Sequence, residues 1–158
     1  MTAASDLDKL LQEWTKSHAG SALLEMLDED RKVISYRPRF VQIAGSVTAA
    51  ILLQQVYHRW KAQKRRPFYK FTRPCSHPLY READSWCEEL KFSRREFDTA
   101  RSKIGVRVGS KAEGAEAALR QGLVLYWQDA RRRTWYWLNE PLLLERLAQV
   151  YGDREEGS

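Results

Sequence analysis

Arginine and hydroxyl side chains recur on one side of the segment that begins at Ser93. A guanidinium group binds a phosphate or a guanine edge through two parallel hydrogen bonds, and serine and threonine hydroxyls suit phosphates or bases. This side of the segment therefore has the chemistry of a DNA contact. The candidate residues are Arg94, Arg95, Thr99, Arg101 and Ser102.

A second arginine cluster, at residues 131–133, lies between two stretches rich in aromatic residues. We expect Arg131, Arg132 and Arg133 to form the tip of a β-hairpin and to contact phosphates or a minor groove. A charged tip also blocks edge pairing and keeps a protein in solution, which is the simpler alternative. A weaker set of candidates for backbone contacts is Lys61, Lys64, Arg65, Arg66 and Lys91.

Simpler interpretations of these side chains stay open. Arg94 lies four residues before Asp98, so the two side chains can form an ordinary ion pair on a helix surface. Aromatic side chains at 127 and 135–137 could stack on unpaired bases. Alternation along a strand favours their burial against a central helix instead. These residues are Trp127, Trp135, Tyr136 and Trp137.

The sequence predicts neither catalysis nor a metal site. It contains no Gly-x-Ser-x-Gly motif and no Gly-x-x-x-x-Gly-Lys-Ser/Thr motif, and its three histidines lie in no catalytic pattern. The spacing of Cys75, His77 and Cys87 fits no structural zinc site, and no fourth ligand is evident. We therefore expect a non-enzymatic protein with no metal, no cofactor and no small-molecule substrate.

The charge is strongly segregated along the 158 residues, whose net charge is +6. Residues 1–30 carry 2 basic and 7 acidic side chains, whereas residues 31–81 carry 12 basic and no acidic ones. A basic stretch of this kind is typical of a surface that binds a phosphate backbone. The alternative is an ordinary solvated surface that happens to be basic. No segment has the apolar length of a membrane span, and two cysteines do not make a disulfide framework. We expect a cytoplasmic protein that associates with the nucleoid when it is bound to DNA.

Two helix starts lie only eight residues apart. The runs Ser-Trp-Cys-Glu from Ser85 and Ser-Arg-Arg-Glu from Ser93 both have the spacing of a capping box. Only Lys91 and Phe92 remain for the turn between the two helices, and so short a connection requires a steep crossing. The pattern predicts a helix-turn-helix, whose second helix turns Phe97, Ala100 and Ile104 inward.

The elements around this pair complete the predicted fold. A long apolar helix at 46–63 and a short aromatic strand at 68–71 come before it, and strands at 123–127 and 134–138 follow as an antiparallel hairpin. This order predicts a mainly α fold with a small antiparallel β-hairpin, within the α+β class. Its architecture would be a winged helix-turn-helix with an N-terminal helical extension.

We divide the chain into an extension at 1–36, a winged helix-turn-helix domain at 37–152 and a disordered tail at 153–158. The extension contains an amphipathic helix with leucines spaced three and four apart, which Ser5 would cap and Gly20 would end. A short strand around Ile34 would end at Pro38. Asn139 is the predicted cap of a last helix. Self-association through the first or the last helix stays open, because core packing explains their leucines equally well.

Residues 40–139 resemble the winged-helix domains of phage and plasmid replication proteins, including DnaD-like and replication-initiator N-terminal modules. The resemblance lies in the runs SVTAAILLQQVY from Ser46, SWCEELKFSRREF from Ser85, LVLYW from Leu123 and TWYWLN from Thr134. Lys91 stands where the turn of this family commonly has glycine.

The resemblance implies that the chain binds double-stranded DNA, sequence-specifically or semi-specifically, in replication initiation or transcription control of a mobile element. One alternative is a protein-interaction adaptor on the same scaffold, such as a phage inhibitor of a host complex. Replication or host proteins are then the partners. A third alternative is a single-strand binder with exposed aromatic rings.

Overall fold

The structure is a computed structural model that describes residues 3–17, 21–109 and 111–156. The chain divides into two compact units, an N-terminal unit (Met1–Val33) and a C-terminal unit (Ile34–Ser158). The boundary lies three residues before the one predicted at 36. Ile34 packs against the core of the C-terminal unit, which explains why the residues after Val33 belong there.

The N-terminal unit contains two helices, α1 (Ala3–Ser17) and α2 (Ser21–Glu29). The spacing of the leucines in α1 predicts this helix correctly, but α1 begins two residues before the predicted cap at Ser5. The predicted helix stop at Gly20 lies outside the described residues. No strand forms around Ile34, where residues 30–37 have no regular secondary structure.

The C-terminal unit is built around α4 (Val47–Ala62), the long helix expected at 46–63. The Oγ atom of Ser46 accepts a hydrogen bond from the backbone N–H of Ala49 at 3.1 Å and caps the helix. A helix that the sequence reasoning missed, α3 (Pro38–Ala44), comes before it. Pro38 opens this helix instead of ending a strand, since proline is tolerated in a first helical turn.

The helix pair forms as predicted, as α5 (Trp86–Leu90) and α6 (Arg94–Ile104). In both capping boxes the serine Oγ accepts from the backbone N–H of the glutamate, and the glutamate carboxylate accepts in return. Lys91 has φ 57° and ψ 35°, so the left-handed turn expected here forms without glycine. Phe92 packs against the core at the corner between the helices.

The sheet has four strands in the order β1–β4–β3–β2. The hairpin strands β3 and β4 are antiparallel as predicted, and β1 pairs antiparallel with β4. β2 pairs parallel with β3, with α7 between them along the chain. The strands and remaining helices are β1 (Phe68–Tyr69), β2 (Gly105–Arg107), α7 (Ala115–Gln121), β3 (Val124–Gln128), β4 (Thr134–Leu138) and α8 (Glu140–Glu156).

This architecture confirms the α+β class, with a mixed sheet in place of a hairpin alone. β2 was not predicted, because its three residues directly after a helix show too little alternation to identify a strand. α8 continues to Glu156, so residues 153–156 of the predicted tail are helical in the structure. The last two residues lie outside the described part of the chain.

Aromatic rings join the helix pair to the sheet. Trp86 of α5 stacks on Phe97 of α6 at 6.1 Å between ring centroids, and its ring lies 5.7 Å from that of Tyr136 in β4. Tyr136 is fully buried, and this burial raises the pKa of its hydroxyl. Removing such a buried ring typically costs about 3–5 kcal/mol of stability, so α6 is held firmly against β4.

Within the described ranges, no single helix is both long and apolar enough to cross a membrane. α3 and α4 have the required length and composition only when taken together, and they are bent by 103° at their junction.

Candidate nucleic-acid interface

The loop 71–78, α6 and the β3–β4 hairpin enclose a cleft of about 580 Å³, which we call the arginine cleft. Residues from both α6 and the hairpin line it, so these two elements face the same space. Four arginines and one carboxylate give its lining a positive charge. The charged residues are Arg73, Arg94, Arg101, Arg132 and Asp98.

The first turn of α6 presents two exposed arginines, Arg94 and Arg95. Only Arg94 lines the arginine cleft, while Arg95 lies outside it. The Nε atom of Arg94 lies 3.7 Å from Oδ2 of Asp98, which is the ion pair that the alternative interpretation expected. Both side chains are about half exposed or more, so the pair is weak and Arg94 can exchange it for a phosphate.

Arg101 is held in place by the sheet and is not a free surface cation. Its guanidinium carbon lies 4.3 Å from the ring centroid of Tyr126 and 5.1 Å from that of Phe97. One of its N–H groups donates to the hydroxyl of Tyr136 at 3.3 Å. Arg101 therefore fastens α6 to β3 and β4, and one side of it still lines the arginine cleft.

Thr99 and Ser102 are exposed, as predicted, but neither lines the arginine cleft. The hydroxyl of Ser102 donates to the backbone carbonyl of Thr99 at 2.7 Å, so its proton is used inside the helix. The inward side of α6 is the one predicted, with Phe97, Ala100 and Ile104 buried.

Asp129 organises the hairpin tip, a role that the sequence reasoning missed. Its Oδ1 accepts from the backbone N–H groups of Arg131 and Arg133, both at 2.9 Å. Its Oδ2 accepts from Trp135 Nε1 at 2.8 Å and from Arg133 Nε at 2.7 Å. The hydrogen bond from Trp135 is the largest of the effects that hold the pKa of this carboxyl far below its usual value. The sequence did contain a signal for this role. An aspartate at the start of a short loop commonly accepts a hydrogen bond from the backbone N–H two residues later in the chain.

The three arginines of the tip have different roles. Arg132, whose φ of 60° is left-handed, lines the arginine cleft, and Arg131 is exposed beside it. Arg133 lies over the rings of Tyr69 and Trp135, at 5.1 and 5.2 Å, in addition to its ion pair with Asp129. Only Arg131 and Arg132 are therefore free for an external ligand, and Arg133 supports the hairpin.

His77 ties the loop 71–78 to the hairpin. Its Nδ1 accepts from the backbone N–H of Leu79 at 3.0 Å, and its Nε2 lies 2.6 Å from the carbonyl oxygen of Arg131, to which it donates. Its ring lies 4.9 Å from that of Phe71. Both cysteines are free thiols: Cys75 is exposed, and burial raises the pKa of Cys87. Among the described residues, no cluster of three or more potential ligands could hold a metal ion.

No protein-family profile matches the sequence, and no curated protein or solved structure matches it either.

The weaker candidates do not join the arginine cleft. Lys61, Lys64, Arg65 and Arg66 are exposed around the end of α4, and Lys91 is exposed at the end of α5. Arg65 is partly neutralised, since its Nε lies 2.9 Å from a carboxylate oxygen of Glu140.

A buried charge network around Lys70 was not predicted from the sequence. Lys70 is almost completely buried, and its Nζ lies 2.9 Å from Asp84 and 2.8 Å from Glu89. Arg59 lies within 4 Å of the same two carboxylates. Burial raises the pKa of Asp84, but the bonds from Lys70 and the charge of Arg59 outweigh it, and the net pKa is lowered. Part of the basic stretch 31–81 is thus neutralised inside the molecule.

Proposed function

We propose that the C-terminal unit is a winged-helix domain that binds double-stranded DNA without catalysing a reaction. Its cellular role would be replication initiation or transcription control of a mobile element, in the cytoplasm. One observation carries the proposal: Arg94 of α6 and Arg132 of the hairpin line one cleft. A duplex that is contacted by the first turn of α6 is then also in reach of the hairpin tip.

The local chemistry of α6 supports this role. The first turn of a DNA-reading helix commonly faces the bases, and this turn carries Arg94 and Arg95. The Ser93 capping box occupies one backbone N–H of that turn, and the remaining N–H groups add attraction for a phosphate. The side chains that reach the bases thus stand on a rigid, well-packed helix.

The decisive experiment removes both arginines of the first turn. We expect Arg94→Ala with Arg95→Ala to weaken binding to a duplex selected from a random pool by about tenfold or more, since one arginine–guanine pair is worth roughly 1–3 kcal/mol. Fluorescence anisotropy with the full chain measures the affinity. Circular dichroism should show an almost unchanged Tm, because neither side chain belongs to the core.

Lys111→Ala with Arg120→Ala is the matched control, since it removes two exposed cations that do not line the arginine cleft. The proposal is wrong if the two double variants lose affinity equally, or if the wild-type chain does not bind a duplex at all.

A second candidate function is the protein-interaction adaptor. The apolar side chains of α1 and α2 favour it, because Leu10 and Leu23 are 60% and 71% exposed and their helices carry several acidic residues. Unchanged DNA affinity in the Arg94 and Arg95 double variant would support the adaptor.

The single-strand alternative predicts that an oligonucleotide quenches tryptophan fluorescence. The structure favours it less, because the ring of Trp135 already packs against that of Tyr69, with 5.3 Å between the ring centroids.

A further inference from the structure

A second concavity, of about 250 Å³, lies between α3, the end of α4 and α8, and we call it the apolar groove. Its floor is made by Phe40 and Leu143, which are buried, and by Tyr57 and Leu147, which are half buried. None of its lining residues lines the arginine cleft. It is therefore a separate feature of the C-terminal unit.

The apolar surface continues from this floor to the outside of the molecule. Leu144 and Tyr151 are 63% and 49% exposed and line the groove with Leu147. Their spacing of three and seven residues places all three on one side of α8. Large apolar side chains left exposed beside a concavity are typical of a surface that contacts a macromolecule.

The rim of the groove is cationic. The guanidinium carbon of Arg39 lies 4.6 Å from the ring centroid of Tyr151, and that of Arg37 lies about 6 Å from the ring of Phe40. Within the described part of the chain, neither arginine has a carboxylate oxygen within 4 Å. Arg37 contacts the ring of Phe40 and donates a hydrogen bond to an amide oxygen, and Arg39 contacts the ring of Tyr151. Among the described side chains, these two positive charges at the rim therefore have no carboxylate partner.

The one carboxylate that lines the groove in the described ranges does not cancel this charge. Glu140 already accepts hydrogen bonds from Trp60 Nε1 and from Arg65 Nε. An incoming carboxylate would therefore meet Arg37 and Arg39 as available partners. An incoming ammonium or guanidinium group would meet like charge.

We propose that the apolar groove binds an amphipathic helix of a partner protein, whose apolar stripe is flanked by aspartate or glutamate. The volume is smaller than the roughly 300–1,000 Å³ of small-molecule sites, so it suits a few anchoring side chains of a larger ligand. An amphipathic helix supplies such anchors at intervals of three, four and seven residues. A nucleic-acid backbone fits less well, because it would leave Leu144 and Leu147 uncovered.

The probe is a labelled 18-residue helical peptide with leucines at positions i, i+3, i+4 and i+7 and glutamates on both flanks. The matched peptide has lysine in place of every glutamate. With the full chain in fluorescence anisotropy, we expect the acidic peptide to bind at least about tenfold more tightly than the basic one. Absence of binding, or equal binding of both peptides, overturns the proposal.

Two variants test the place of binding. Leu144→Glu puts a charge on the exposed apolar rim and should weaken the acidic peptide about tenfold, whereas Leu119→Glu, on the exposed side of α7, should not. Arg39→Glu reverses a rim charge and should reduce or invert the preference between the two peptides. Unchanged binding in Leu144→Glu or an unchanged preference in Arg39→Glu overturns the proposal.

Analytical ultracentrifugation tests a second copy as the occupant. If the wild-type chain is a dimer and Leu144→Glu makes it a monomer, the groove joins two copies of this chain and the partner helix is wrong. Binding of DNA by the same variants reports separately on the arginine cleft, because Leu144 and Arg39 do not line it.

Discussion

A single carboxylate decides the shape of the hairpin tip. Asp129 receives four hydrogen bonds, two from the backbone of the loop and two from side chains of Arg133 and Trp135. These bonds stabilise the ionised form and hold its pKa below the ordinary value of 3.8. The position of the exposed Arg131 and Arg132 therefore depends on a negatively charged neighbour.

We expect Asp129→Asn to lower the Tm at pH 7, because the amide nitrogen of asparagine cannot accept from Trp135 or Arg133. Since the folded-state pKa is lowered, the contribution of the carboxylate is present above pH 3.8 and is lost as the pH falls through the lower folded value. The difference in Tm between the two proteins should therefore shrink only below about pH 4.

Thermal melts by circular dichroism between pH 7 and pH 2 measure this difference. Asp98→Asn is the control, because its ion pairs with Arg94 and Arg101 are long, at 3.7 and 3.9 Å. An Asp129→Asn protein as stable as the wild type at pH 7 would show that the tip does not need the charge.

At the scale of elements, the capping box at Ser93 fixes where α6 begins and so which way its first arginines point. The Oγ atom of Ser93 accepts from the backbone N–H of Glu96 at 3.1 Å, and the Glu96 carboxylate accepts from the Ser93 N–H at 2.9 Å. Both bonds lie at the surface, so their loss frays the first turn without opening the core.

We expect Ser93→Ala to lower the free energy of unfolding by about 1 kcal/mol, the usual cost of losing an N-cap. Binding to duplex DNA should weaken as well, although the hydroxyl itself need not touch DNA, because Arg94 and Arg95 lose their fixed geometry. Urea unfolding and anisotropy measure the two effects. Ser102→Ala, which removes a hydroxyl inside the same helix, is the control, and equal losses in both variants would contradict the prediction.

At the scale of the whole molecule, the net charge of +6 gives little information about affinity, because the charges are unevenly placed and partly paired. Lys70 and Arg59 lie against carboxylates, and Arg133 is paired with Asp129. The cations that we assign to a phosphate backbone are those of the arginine cleft, Arg95 in the same turn of α6 as Arg94, and the exposed tip.

Removing Arg131 and Arg132 together should reduce the salt dependence of DNA binding. The slope of log K against log salt should become less steep by up to about 2, because each neutralised phosphate contributes roughly 0.9. Arg133→Ala should instead lower the Tm, since its guanidinium lies over the rings of Tyr69 and Trp135. Anisotropy at salt concentrations from 50 to 200 mM gives the slopes. An unchanged slope in the double variant would remove the tip from the interface.

Local patterns were enough to predict the helix pair, the long helix α4 and the antiparallel hairpin. The capping boxes at Ser85 and Ser93 involve groups only three residues apart, and an apolar face repeats within one element. Such local signals can be read from the sequence because they do not depend on how the rest of the chain folds. For this reason the α+β class and the inward side of α6 followed from the sequence.

Contacts between distant residues were decided only by the tertiary structure. The parallel pairing of β2 with β3, the burial of Lys70 between Asp84 and Glu89, and the packing of Arg101 on Tyr126 all join segments that are separate in sequence. Whether an arginine is free or already paired depends on residues that are distant in sequence, and no local sequence pattern predicts which residues those are. The sequence therefore identified the arginines that are candidates for DNA contact, and only the tertiary structure determined which of them line a common cleft.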